Sequence, residues 1–217
     1  MSGSEAAAAF DPDCRRCPRL SDFLDEVAGE HPDYHARPVP SFGDPRAGLL
    51  IVGLAPGMHG ANRTGRPFTG DYAGILLYQT LFEFGFGSRP VSESADDDLV
   101  LRRCRIANAV KCLPPQNKPT GQEIRNCNAF LRAELHISPD AVVVLALGRI
   151  AHDAVLRACS RSLAAHRFAH GAEHRLDGLT LLDSYHCSRY NTQTRRLTEA
   201  MFRDVVARAR ELIDSAS

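Results

Sequence analysis

Four short apolar runs, each followed by a segment of helical character, constrain this chain more than any other feature. The runs are Gly48–Gly53, Arg105–Val110, Ala141–Gly148 and Leu179–His186. They carry little charge, and the third carries none. A strand apolar on both faces is buried on both faces, as in a parallel sheet covered by helices. Helix-like segments follow at "AGILLYQTLFEF", "GQEIRNCNAFLRAEL", "RIAHDAVLRAC" and "RLTEAMFRDVVARARELIDS". In the last, Leu197, Met201, Val205 and Leu212 fall near a helical period. The alternation predicts an α/β fold, a three-layer α/β/α sandwich around a four-stranded parallel sheet with right-handed crossovers.

The 217 residues suit one domain with a real core, expected over residues 13–217. The start, "MSGSEAAAAFDPD", lacks a basic region and a long apolar run, so residues 1–12 are expected to be a disordered leader. No apolar run reaches the roughly 18 residues of a membrane helix. The expectation is a cytoplasmic protein without a membrane partner.

In a doubly wound sheet, ligands bind at the carboxyl ends of the strands. Four polar loops fall there. The first and longest is "GLAPGMHGANRTGRPFTGD", Gly53–Asp71, which fits neither common phosphate-loop pattern. "KCLPPQNKPT", "GRIAHD" and "HCSRYNTQT" complete the edge. Formal charge is zero, which neither favours nor excludes a nucleic-acid partner. Among 26 basic residues only Lys111 and Lys118 are lysines. Arginine suits bidentate phosphate contacts, although genome composition produces the same bias. The acidic run Glu93–Asp98 reads as a solvated loop.

Seven cysteines, an odd number, argue against a disulfide framework in a cytoplasmic chain. Cys14 and Cys17 form a C-x-x-C pair, and Cys112 and Cys127 lie where they can join it. Four thiolates suit tetrahedral zinc or an iron–sulfur cluster, and spacing does not choose between them. Cys104 and Cys159 sit in core-like contexts.

The long first loop, "NAVKCLPPQNKPT" and "YHCSRYNTQTRRLT", with the four cysteines around them, resemble the uracil-DNA glycosylase superfamily, its family 5 in particular. The match runs from about Cys14 to Met201 in consistent order. The resemblance implies a 4Fe–4S cluster on Cys14, Cys17, Cys112 and Cys127. It implies an enzyme that flips uracil, and other deaminated or modified bases, out of damaged DNA, double- or single-stranded. Hydrolysis of the N-glycosidic bond would leave an abasic site. Such a protein is expected to act as a monomer, in a bacterial or archaeal cytoplasm, on the nucleoid. Hypoxanthine and ethenocytosine extend the expected substrates.

Breaking that bond leaves a cationic sugar and an anionic base, so donors and charges must await both. By the resemblance, His186 donates to the base oxygen, Phe68 stacks on the flipped ring, and Asn108 reads its edge. Gly53 and Ala55 line the base site. Leu54 and Ala55 follow Gly53 where other families carry a polar water-activating residue, which speaks against a family-4-like enzyme. The carboxylate left is Asp71, a natural helix N-cap and also the expected catalytic aspartate. His59 and Asn62 are further candidates for lining the pocket or binding water. DNA contacts are expected from Ser188, Arg189, Thr194 and Arg195. Two positions depart from the family. Cys187 stands where Pro or a small aliphatic residue is frequent. Arg195 stands where Gly is expected, a change that either removes a left-handed turn or adds a phosphate contact. No lysine is placed for strand cleavage, so a monofunctional glycosylase is expected. The rivals are a Cys187–His186 hydrolase, disfavoured because adjacent extended residues face opposite ways, and a non-enzymatic nucleic-acid-binding protein with a structural zinc or cluster.

Overall fold

The computed structural model describes residues 9–137, 140, 142–176 and 178–216. In chain order the elements are α1 (Pro18–Glu30), β1 (Phe42–Gly43), β2 (Leu49–Gly53), α2 (Ala61–Thr64), α3 (Tyr72–Glu83) and β3 (Cys104–Asn108). A 3-10 turn at Pro115–Asn117 leads to α4 (Gly121–Ile137), β4 (Val143–Leu147) and α5 (Arg149–Ala158). The chain then forms β5 (Glu173–Leu176), β6 (Leu179–Ser184), α6 (Arg189–Gln193) and α7 (Glu199–Ser215).

The four expected strands form the middle of the sheet. β3 pairs with β2, β2 with β4 and β4 with β6, all parallel. The sheet is nevertheless not four-stranded. It has six strands in the order β1-β3-β2-β4-β6-β5, and the two edge strands run antiparallel. Both escaped the sequence: β1 has only two residues, and β5 reads Glu-His-Arg-Leu. A very short edge at β1 and a charged one at β5 discourage pairing with another chain.

The strand period of two divides the core. On β2, Leu50 and Val52 pack with α1, α4 and α5, while Leu49 and Ile51 pack with α3 and α7. All four are fully buried, each contributing about 1.5–3 kcal/mol over exposure. Helix α1, not anticipated, starts at Pro18 and buries Leu20, Leu24 and Val27 along one face. Helix α7 begins three residues later than expected because the Thr198 side chain accepts from the Met201 N–H at 3.2 Å and caps it.

The acidic run is only partly solvated. Asp98 is exposed, but Asp97 is buried against Arg66 in an ion pair. Asp97 also accepts from the Glu93 and Leu99 N–H groups at 2.8 and 3.1 Å. Burial opposes its charge, yet Arg66 and these N–H groups hold its pKa down to about 2. Arg66 itself donates to Ser92 and to the Ala95 carbonyl. The pair therefore ties the Gly53–Asp71 loop to the segment after α3. Residues 1–8 of the expected leader lie outside the described residues, and Phe10 packs edge-on against Phe130 at 6.2 Å. Among the described residues, no helix is long and apolar enough to cross a membrane.

Candidate active site

β2 has β3 on one side and β4 on the other, so the chain reverses its direction of growth there. A cavity of 460 Å³ opens at the carboxyl ends of these strands. It is lined from the loop after β2 (Leu54, Ala55, Gly57), from β3 (Asn108), from β4–α5 (Leu147–Ile150) and from the segment after β6 (His186, Ser188, Arg189). Phe68, Asp71 and Tyr72 close it from the end of the long loop. The expected residues Ala55, Phe68, Asp71, Asn108, His186, Ser188 and Arg189 thus meet on one cavity. Thr194 and Arg195 do not line it and are exposed.

Gly53 has a packing role beneath the cavity. A Cβ at Gly53 would collide with Asn108 Oδ1 and sit 2.7 Å from Phe68 Cζ. Only glycine lets both side chains close over the strand end. Phe68 adopts φ +59°, a left-handed conformation rare for an aromatic residue. Its carbonyl also borders Gly74, where a Cβ would collide with it. The ring stacks beside His186, with centroids 5.9 Å apart and planes 26° apart. Strain of this kind persists only where the surroundings over-determine it, and it clusters at functional sites.

His186 follows β6. Its backbone carbonyl accepts from Asn191 Nδ2 at 2.8 Å. Its ring Nδ1 is buried with no protein partner. Burial alone pushes its pKa down to about 4, so the ring is neutral at physiological pH. Asn108 ends β3 opposite Gly53, and its Oδ1 is also buried and unpartnered. Two unpaired polar atoms at one cavity are what a ligand with complementary groups would satisfy.

Asp71 occupies the N-cap position of α3, but its side chain makes no capping bond. It turns instead to the long loop and accepts from the Ala61 N–H at 3.3 Å. The carboxylate nests against Gly57 and Gly60, and a Cβ at Gly60 would collide with it. Burial raises its pKa above the ordinary value, while the Ala61 N–H and the charges of Arg63 and His59 oppose the rise. His59 and Asn62 do not line the cavity. His59 Nδ1 meets the Tyr34 hydroxyl at 2.8 Å, and Asn62 is fully buried.

Both family departures have structural answers. Cys187 is fully buried in the core beneath α3 and α7 and does not line the cavity. Arg195 keeps the left-handed turn, at φ +56°. Ser188 caps α6 through the Asn191 N–H, and Thr194 closes it by donating to the Tyr190 carbonyl at 2.8 Å. The Arg189 guanidinium lies 5.8 Å over the Tyr72 ring.

The loops that carry Asn117, Arg149 and Ile150 are those expected at this edge, but these residues and Tyr72 are not singled out by the sequence as cavity residues. Asn117 carried a usable signal: it ends "PPQN", where Gln116 and Asn117 both take left-handed φ, near +55° and +56°. Tyr190, 71% exposed on α6, and Tyr72, 47% exposed, give the rim an apolar surface.

Cys14, Cys17, Cys112 and Cys127 gather around a second, small cavity, together with Leu20, Asn126 and Phe130. None forms a disulfide. The Lys111 N–H donates to Cys127 Sγ at 3.4 Å, and Asn126 Nδ2 donates to Cys17 Sγ at 3.3 Å. Donors of this kind stabilise thiolates, and the donor set fits a thiolate-ligated group. Lys111 itself is buried, with Nζ donating to Ser41 Oγ at 2.9 Å, away from the first cavity.

The fold and the cavity define an α/β/α protein with a neutral histidine, a stacking ring, an amide and a carboxylate facing one pocket. A family model for the uracil DNA glycosylase superfamily matches residues 40–210, and the chain belongs to that superfamily. Its relatives sharpen the assignment. A "Type-5 uracil-DNA glycosylase" of Thermus thermophilus is 50% identical over 205 residues, covering 92% of this chain and 93% of that protein. One of Pyrobaculum aerophilum is 44% identical over 90% of this chain and 87% of its own length. One of Mycobacterium leprae is 44% identical over 92% and 91%. Within the superfamily the chain stands with the type-5 group.

Proposed function

We propose that this chain is a monofunctional DNA repair glycosylase that excises uracil from DNA, with other deaminated bases as further substrates. The observation that carries the reading is the meeting of Phe68, Asn108, Asp71 and a neutral His186 on one cavity. The type-5 names of relatives at 43–50% identity support the same activity. A base inside a duplex must leave the stack to be attacked. Phe68 receives the flipped ring, and the Asn108 amide pairs with its edge. As the C1′–N bond lengthens, its electron pair moves to the base. His186 donates to the base oxygen that takes the charge. A neutral donor suits this role, because a full proton transfer is not required. Asp71 faces the sugar, stabilises its developing cation and orients the water whose oxygen bonds to C1′. The water's proton passes to solvent or the carboxylate, and the base departs as the anion.

Ser188, Arg189, Thr194 and Arg195 hold the DNA backbone. Tyr190, beside them on an exposed turn, fills the gap the flipped base leaves. Among the described residues lining the cavity there is no lysine, which supports hydrolysis without strand cleavage.

Cys14, Cys17, Cys112 and Cys127 are the ligands of a 4Fe–4S cluster in this reading. The cluster, when bound, supplies cross-linking between the N-terminal segment, the loop after β3 and α4.

The test uses duplex oligonucleotides with one uracil opposite G or A, and alkali to reveal abasic sites. Release by the wild type and not by His186→Ala, with DNA binding retained, is expected. Folded, iron-replete protein that releases neither uracil nor hypoxanthine nor ethenocytosine would refute the enzyme and favour a binding protein.

A further inference from the structure

Outside the cavity and the cysteine site, three potential ligands converge under β6. His152 comes from α5, His174 from β5 and Asp183 from β6. Their donor atoms all lie within 4.8 Å of one another. The side chains of His152 and Asp183 are essentially inaccessible, and that of His174 is 13% exposed.

The hydrogen-bond pattern leaves a cation-shaped requirement. His152 Nε2 faces the His166 carbonyl at 2.9 Å, so Nε2 must carry the hydrogen and donate. His152 Nδ1 then faces Asp183 Oδ1 at 2.8 Å, and His174 Nε2 faces Asp183 Oδ2 at 3.2 Å. A neutral His152 would point a lone pair at a carboxylate. Something positive must lie between them, either a proton or a metal ion. A metal-ligating histidine typically donates its other N–H to a backbone carbonyl, as His152 does. His166 Nδ1 donates to the Ser162 carbonyl at 2.9 Å, which leaves Nε2 with a free lone pair. Its ring lies 5.6 Å from that of His174. Phe168, 5.7 Å from His152, walls the group on another side.

We propose that His152, His174 and Asp183 bind a divalent zinc-class ion, with His166 or water as a fourth ligand. Two imidazoles and a carboxylate without thiolate suit zinc. Bonds of about 2.0–2.1 Å put donors about 3–3.4 Å apart, so small shifts accommodate the ion. The site pins the segment after α5 to β6. Asp183 already meets that segment through the Gly171 N–H at 2.8 Å and the Ala172 carbonyl at 3.0 Å. Three residues further along the chain stands His186. The ion is therefore a brace for the strand that presents the active-site histidine, and it takes no part in the chemistry.

The experiment compares full-length wild type with His174→Ala, both with the cysteine site loaded and both dialysed against EDTA. Zinc chloride is then titrated calorimetrically and by thermal melting. The cysteines are common to both proteins, so the difference reports the histidine site. Wild type is expected to bind one more equivalent than the variant. Its Tm is expected to rise by about 5–10 °C at zinc 100-fold above Kd, with no such rise in the variant. Crystals of wild type soaked in zinc should show an anomalous peak between the three side chains. Equal stoichiometry and equal Tm response would overturn the site and leave a proton-held network. If the variant does not fold, the wild-type soak decides alone: a peak supports the site, and its absence overturns it.

Discussion

Replacing Asp71 by Asn separates a catalytic carboxylate from a structural one. The side chain keeps its shape, and its amide oxygen still accepts from the Ala61 N–H, now at 3.3 Å. Gly57 and Gly60 still cradle it. What disappears is charge. A carboxylate and a developing sugar cation about 5 Å apart, at an effective dielectric near 20, attract by about 3 kcal/mol. That is roughly a 10²-fold loss in the rate of bond breaking, read under single turnover with uracil-containing duplex and alkali cleavage. KM should change little. Stability should move the other way. Burial raises the Asp71 pKa, so a penalty on the fold builds as pH rises from 3.8 and is complete above the raised value. Asp71→Asn should therefore melt above wild type at neutral pH. The gap should close as pH falls below the ordinary value of 3.8, where both side chains are neutral. A variant that cleaves within about threefold of wild type would show that Asp71 acts through loop geometry alone, and the electrostatic account would be wrong.

Other outcomes follow from particular residues. His186→Ala should lower kcat by about 10²–10³ while DNA affinity in a gel-shift assay stays near wild type. Because burial holds the His186 pKa near 4, the wild-type rate should show no step from this ring above about pH 5. Arg195→Gly should relieve the left-handed backbone and raise stability by about 1 kcal/mol, or about 2–4 °C in Tm. The same change should reduce the slope of log K against log salt by about one if Arg195 contacts a phosphate. Arg66→Ala strands Asp97 as a buried charge and should cost about 3–5 kcal/mol in denaturant unfolding. If the four cysteines hold the cluster as proposed, Cys112→Ser should lose iron by elemental analysis, along with thermal stability.

The parts of the fold legible in the sequence were those with one dominant period. Largely apolar runs exposed β2, β3, β4 and β6 because both of their faces are covered. β1 and β5 stayed hidden because an edge strand needs neither apolar face nor length. Chemistry was legible where a residue was out of place for packing: Asn108 in an apolar strand, or a histidine at a strand's end. It was not legible where geometry alone decides. Nothing in the local pattern says that Asp71 forgoes its own helix to meet Ala61, or that Asp97 leaves solvent for Arg66. The His152–His174–Asp183 group was invisible for the same reason, its members being 22 and 9 residues apart in a chain with no motif to link them.

Phe68 holds its left-handed backbone before any DNA arrives, with Gly53 under its ring and Gly74 under its carbonyl. The cost of that posture is paid once, when the chain folds, and not again at each base it inspects. A search along DNA meets vast numbers of sound bases for every damaged one. If Phe68 receives the flipped base as proposed, its surface is already in the receiving conformation, and each trial draws on the energy of unstacking that base. The decision whether to proceed is then set by how firmly the DNA holds the base, and a uracil mismatched with guanine is held less firmly than a properly paired base.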